Sequence, residues 1–277
     1  MPEHGTAERA ISPQRTGIKR WVEERLFPEA RERYKELDWE RAAQLLRDRS
    51  VTYPDYFLVP HHGLVDGYMS ACQAFSWELI EHIFGIRRVR PRVLTLARQL
   101  RPQRIIDLGS GTGLTSIELL RSLPGSQLIL LDLSPYQLVA AEQQVRYAGV
   151  GTRTRLMHAR AEETGLADGT ADLVMASLLF HELPCLEARL VMREAHRLLA
   201  PNGHLLLFDA IQEVTPWRAV NNILTTLLAT LMHEIYWHEY MSQPLWELCQ
   251  EEQFIRVRRT LLFAFPWIYQ VVLATRA

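Results

Sequence analysis

Three glycines at alternate positions, Gly109, Gly111 and Gly113, follow an apolar run that carries one acid, Asp107. Glycines that close let a backbone turn sharply and approach a ligand with no Cβ in the way. Ser110 lies inside the turn, and the helix opening predicted after it offers unsatisfied N–H groups to a polar ligand. A second acid, Asp132, ends a second apolar run, Leu128 to Leu131, and is followed by Leu133. An acid at the end of the second strand of a doubly wound sheet can accept both hydroxyls of a ribose. A helix cap is the alternative reading of Asp132, although Ser134-Pro135 already supplies a strong helix start. Together these residues predict a nucleotide-type cofactor at the carboxyl ends of two parallel strands.

The spacing discriminates among cofactors. A dinucleotide fingerprint reads G-x-G-x-x-G beneath a pyrophosphate, whereas this chain reads G-x-G-x-G, with a carboxylate two residues before the first glycine. That carboxylate would repel a pyrophosphate and suits an ammonium group. No G-K-[ST] follows, which excludes a P-loop. S-adenosylmethionine carries an ammonium, a sulfonium and an adenosine, and no phosphate.

The segment Arg104 to Ser116 resembles motif I of the class I S-adenosylmethionine-dependent methyltransferases, small-molecule type, related to the ubiquinone/menaquinone-biosynthesis C-methyltransferases. The resemblance covers residues 101 to 211. It implies that Asp107, Gly109, Ser110, Gly111 and Gly113 hold the methionine part, Asp132 and Leu133 the ribose, and Ala161 and Glu162 the adenine side, with Ser177 also facing the cofactor. S-adenosylhomocysteine would be the product. One departure stands out: the family's common adenine-binding aspartate aligns with Arg160, which cannot accept the adenine amino group's hydrogen bond. A turn at Ala200-Pro-Asn-Gly203 matches the family's pattern, with Asn202 where glycine is usual and a strand His204 to Phe208 after it.

The loop Ser177 to Pro184 follows the fourth predicted strand, where open α/β sheets carry their chemistry. His181 is there a candidate general base, the residue type that suits neutral pH. The preferred reading is that it shapes the floor beside the transferring methyl. Tyr56, His62 and Tyr68 lie in an aromatic- and histidine-rich stretch expected to form a cofactor lid, and His233 and Trp237 lie on a helix expected to meet the acceptor. No metal site is expected: His233 and His238 stand five apart, not the four that H-E-x-x-H needs.

Those motifs require an α/β, Rossmann-like, seven-stranded mixed sheet with helices on both faces. A helical N-terminal extension and a helical insertion before the last two strands complete the expected fold. The expected division is a flexible 1–17, a helical extension and lid 18–100, and a methyltransferase domain 101–277 containing the insertion 216–252. A net charge of −1 leaves no basic footprint for nucleic acid. Cys72, Cys185 and Cys249 form no disulfide or metal pattern, which points to the cytoplasm. No apolar signal core opens the chain, and polar residues interrupt 219–236, so no membrane span is expected. The reading is methyl transfer to oxygen, carbon or nitrogen of a small-molecule acceptor, by a possible homodimer. The alternatives are a non-catalytic cofactor- or partner-binding protein that keeps the fold, and a nicotinamide oxidoreductase.

Overall fold

Apolar runs with no alternation, bounded by turns, become strands covered on both faces. Ile105 and Ile106 lie in β1 (Arg104–Leu108), whose last four residues are all buried, and Leu173, Val174 and Met175 lie in β4 (Ala171–Ser177). β2 (Gln127–Asp132), β3 (Thr154–His158), β5 (Leu199–Ala210), β6 (Phe254–Ala264) and β7 (Trp267–Arg276) complete one seven-stranded sheet in the order β3-β2-β1-β4-β5-β7-β6. The first five strands run parallel, and β7 lies antiparallel to both β5 and β6. The expected mixed sheet and closing antiparallel pair are both present. Strand order reverses between β1 and β4, so a crevice opens at their carboxyl ends.

In this computed structural model the described residues are 33, 34, 36–60, 66–212, 223, 226, 227, 229, 230 and 234–277. The expected flexible terminus, much of the 216–252 insertion, His62 and His233 lie outside them. By its contacts the chain divides into two units, residues 1–35 and residues 36–277.

Helices α1 (Trp39–Leu46), α2 (Ala71–Ile83), α3 (Ile86–Gln99), α4 (Leu114–Arg121), α5 (Pro135–Ala148) and α6 (Cys185–Leu198) precede two short ones, α7 (Trp237–Ser242) and α8 (Leu245–Glu251). The expected start of α5 is realised: Ser134 Oγ accepts from the Gln137 N–H at 3.2 Å, with Pro135 in the first turn. Gly149 closes that helix at φ 66°. Segment 48–53 is pinned to β3 by one imidazole. The Asp48 N–H donates to His158 Nδ1 at 3.1 Å, while His158 Nε2 sits 3.0 Å from the Leu133 carbonyl and 3.1 Å from the Tyr53 hydroxyl.

Helix α2 begins at Ala71, because Ser70 caps it through the Cys72 N–H at 3.1 Å. One boundary differs from the sequence expectation. The strand expected over His204–Phe208 runs from Leu199 to Ala210. Leu199 already pairs with Ala171, and the ladder resumes at Leu173–His204, so the Ala200–Gly203 turn bulges out of a strand that has begun. Asn202 takes the left-handed conformation, φ 62°, that its side chain tolerates.

Candidate active site

A cleft enclosing about 1060 Å³, partly open to solvent, lies where β1, β2 and β4 end. Of the residues expected to hold the cofactor, Asp107, Gly109, Ser110, Gly111, Asp132, Leu133, Ala161 and Ser177 line it. Tyr56 and Tyr68, from the segment before α2, line it too. Gly109, at φ 62°, lies so close to Leu179 that an added Cβ would sit 2.6 Å from Leu179 Cδ1. Gly113 plays a different part. It is not among the lining residues, and a Cβ there would meet Leu130 Cδ1 at 2.8 Å, so its space serves packing of α4 on the sheet.

The two acids differ in how they are held. Asp132 accepts the Gly111 N–H at 2.7 Å and the Ser134 N–H at 2.8 Å, which ties the glycine turn to the start of α5. Burial raises its carboxyl to about 6 against those backbone bonds. Asp107 accepts the Ser116 hydroxyl on Oδ2, and its Oδ1 has no partner. Burial, with the Asp132 charge adding, lifts Asp107 to about 7 although the Ser116 bond opposes it.

Further polar atoms around the cleft are buried without a partner: Ser110 Oγ, Thr112 Oγ1, Gln137 Oε1 and Ser177 Oγ. Buried polar groups are ordinarily paired, so such a group of orphans marks a place where a polar ligand supplies the missing bonds. Thr112 and Gln137 escape sequence reasoning. Gln137 carries a weak signal in retrospect, since it lies three residues past the capping Ser134 and so in the first turn of α5, at the mouth of the cleft.

Glu162 does not line the cleft. Its Oε1 accepts from Arg160 Nη2 at 2.7 Å and from the Tyr56 hydroxyl at 3.0 Å. Arg160, the departure from the family's pattern, thus holds Glu162, and Glu162 holds the segment that carries Tyr56. Tyr68 is held as well: its phenol hydrogen-bonds the Glu182 carboxylate, and its backbone carbonyl accepts the Ser134 hydroxyl at 2.6 Å.

His181 is not among the residues that line the cleft; it lines an adjoining chamber, within a group of acids. Its Nδ1 lies 2.6 Å from Asp209 Oδ1 and its Nε2 3.4 Å from Glu182 Oε1. Burial alone would lower its pKa, but Asp209 and then Glu182 outweigh it, and the imidazole is held well above its ordinary value. Asp209, at the end of β5, also accepts the Phe180 N–H at 3.0 Å and so fixes the loop that carries His181. Ligand atoms of His181, Glu182 and Glu234 lie within 4.8 Å of one another, an arrangement able to take a metal ion. No sequence spacing announces it, because the loop after β4 and the distant insertion bring those residues together.

A second, mostly apolar chamber of about 680 Å³, partly open to solvent, adjoins the cleft, and His181 lines it. Trp237 lines it, as does Trp77 from α2. Leu178 lies between the two cavities and lines both. It holds φ 57°, a strained conformation for leucine, with its N–H donating to the Phe208 carbonyl at 2.7 Å.

Residues 105–203 match a family model described as a methyltransferase domain. The chain is 31% identical over 122 residues to a demethylmenaquinone methyltransferase of Thermus thermophilus, covering 44% of this chain and 54% of that one. It is 23% identical over 210 residues to a ubiquinone/menaquinone biosynthesis C-methyltransferase of Dinoroseobacter shibae, covering 73% of this chain and 83% of the relative. The chain spans about half the length of several curated relatives it matches. A solved structure described as a putative O-methyltransferase from Nostoc punctiforme shares the fold with a TM-score of 0.58 at 17% identity, over 92% of this chain and 71% of that one.

Proposed function

With its core belonging to the class I S-adenosylmethionine-dependent methyltransferases, related to the menaquinone-type small-molecule enzymes, we propose that this chain transfers a methyl group to a small-molecule acceptor. The observation that carries this reading is the cleft itself: an open glycine turn, a buried carboxylate with an unpartnered oxygen, and orphaned hydroxyl and amide oxygens around it.

Those residues fit the methyl donor. Asp107 Oδ1 is an acceptor for an ammonium, and the Gly109–Gly111 turn admits the chain of the ligand against bare backbone. Asp132 keeps carboxylate lone pairs beyond its two backbone bonds, available to ribose hydroxyls. Ala161 borders the adenine side, where Arg160 and Glu162 brace the wall. The donor supplies an electrophilic methyl carbon on a sulfonium. The protein's part is to align the acceptor with that carbon and to exclude water from both. His181 serves as a positioning group at the junction of the cavities. Incubation with labelled methyl donor and a panel of small acceptors tests the activity: label in an acceptor is expected, and a chain that binds donor but methylates none of a broad panel contradicts it.

Among the described residues no helix is long and apolar enough to cross a membrane. The near-neutral net charge supports a small-molecule acceptor over nucleic acid, and the absence of disulfides among the three cysteines supports a cytoplasmic setting.

Two expectations follow from the cleft's construction. Asp132→Asn should weaken S-adenosylhomocysteine binding at least tenfold, since a charged bidentate acceptor for the ribose is lost, at about 1.5–3 kcal/mol. Asparagine is the sharper test than alanine because it keeps the side chain's shape and one oxygen for either the Gly111 or the Ser134 N–H, which bind separate carboxylate oxygens; an unchanged dissociation constant by calorimetry removes Asp132 from the ribose site. If the Tyr56–Tyr68 segment is a lid, S-adenosylhomocysteine should slow hydrogen exchange at residues 52–60 and 66–68 and leave α1 unaltered. Equal exchange with and without ligand rules the lid out.

A further inference from the structure

The chain's net charge of −1 conceals a local imbalance. From His82 to Ile106 there are seven arginines and no aspartate or glutamate, and from Gln253 to Ala277 four arginines and again no acid. The fold packs these two stretches together. Leu262 and Ala264 of β6 share a core with Ile86, Val89 and Val93 of α3. β6 runs in the same sense as β5, since both lie antiparallel to β7, so the β6–β7 turn stands at the carboxyl edge of the sheet. There Trp267 Nε1 donates to the Ile83 carbonyl at 3.1 Å, and Arg88 Nη1 donates to the Phe265 carbonyl at 3.5 Å.

Large apolar side chains stand out from this tip. Phe265 is 90% exposed, Phe263 67% and Ile83 57%. Single exposed hydrophobes are ordinary, but three at one tip call for an apolar partner. Arg87, Arg88 and Arg92, at the start of α3, are exposed as well. No carboxylate pairs with them among the described residues; Glu81 and Glu118, which do reach α3, go to Arg90. Projecting phenyl rings with unneutralised guanidinium groups beside them suit a lipid headgroup layer, which offers anions above and hydrocarbon below. A second copy of the chain fits poorly, because two-fold pairing through this tip sets the arginines against themselves. Duplex nucleic acid offers phosphates but no apolar medium for the rings.

We infer that the β6–β7 tip and the start of α3 form a docking surface for an anionic lipid bilayer, with Ile83, Phe263 and Phe265 in the interface and Arg87, Arg88 and Arg92 against the anionic headgroups. Phe84, Trp267 and Ile268 line the second chamber, so a docked chain holds that chamber next to the bilayer. The docking uses no cofactor, and its test is independent of the methyl-donor reading.

The full chain is mixed with vesicles of phosphatidylcholine alone, or of equal parts phosphatidylcholine and phosphatidylglycerol, and the bound fraction is read by flotation. Binding to the anionic vesicles is expected to be at least tenfold tighter, since each arginine near such a surface contributes about fivefold, and it should weaken as salt rises. Arg87→Glu, Arg88→Glu and Arg92→Glu together should remove that preference. Phe263→Ser with Phe265→Ser should weaken binding severalfold, and Phe265→Trp should show a larger blue shift of emission on anionic vesicles than wild type does. Equal binding to both kinds of vesicle, or a Phe265→Trp emission that shifts no more than wild type, overturns the docking. So does tighter binding to a polyuridylate strand than to the vesicles, or a dimer that the two serine changes split, with no vesicle binding.

Discussion

Asp107→Asn is expected to weaken S-adenosylhomocysteine binding at least a hundredfold, about 2.8 kcal/mol, and also to make the ligand-free protein melt at a higher temperature near neutral pH and above. Both effects have one cause. Asp107 is 2% exposed, and its carboxyl is raised from an ordinary 3.8 to about 7 by burial. A group whose folded pKa is raised holds its proton more tightly when folded. Its contribution to stability is therefore full at low pH and is lost as pH climbs from about 4 to about 7. Keeping Asp107 ionised above that window costs on the order of 4 kcal/mol, a cost that a cationic ligand group offsets when it binds. Asparagine has nearly the same shape and no charge, so it relieves the cost and removes the reason for binding. Wild-type affinity should in turn fall as pH drops below about 7, with proton uptake by Asp107 competing against the ligand. Thermal melts and calorimetry on the variant decide the matter: unchanged affinity, or a lower melting temperature, contradicts this role.

His181→Ala is expected to destabilise the fold by about 3–5 kcal/mol, since it takes from buried Asp209 the imidazole 2.6 Å away. The double variant His181→Ala with Asp209→Ala should recover part of that loss in denaturant melts, and strictly additive losses would show that the pair does not interact. The same geometry bears on catalysis. An imidazole held charged by Asp209 and Glu182 does not titrate near its ordinary 6.5. The pH–rate profile should then lack a limb there, and His181→Gln should chiefly raise the acceptor's KM. A wild-type limb near pH 6.5 that His181→Gln abolishes, with a turnover loss of about 10³, would instead make His181 the general base. Asp209→Asn should lower the His181 pKa, because burial then outweighs what remains of the opposing charge; imidazole NMR reads this directly.

The glycine turn and its acids were legible in the sequence because each is a local event. Ile105 to Gly113 specifies a strand, a turn and a ligand-facing backbone within ten residues, and Ser134-Pro135 specifies the next helix within two. The second chamber and the acids beside it were not, because they are assembled from distant segments. Trp77 comes from α2, His181 from the loop after β4, Asp209 from β5 and Tyr269 from β7, and nothing in their spacing pairs them. Glu162 shows the limit of a family pattern. Its neighbour Arg160 replaces the usual acid, and the carboxylate turns to Arg160 and Tyr56 instead of lining the cleft. Leu178 was invisible for another reason: its left-handed backbone is imposed by the junction of β4, β5 and the loop, against the preference of the residue itself.

The most direct test of the whole account is calorimetric titration of the full chain with S-adenosylhomocysteine and, in parallel, with NAD. The account predicts saturable one-to-one binding of S-adenosylhomocysteine, weakened by both Asp107→Asn and Asp132→Asn, and no heat of binding with NAD. Saturable binding of NAD, or no binding of S-adenosylhomocysteine to folded protein, would contradict it.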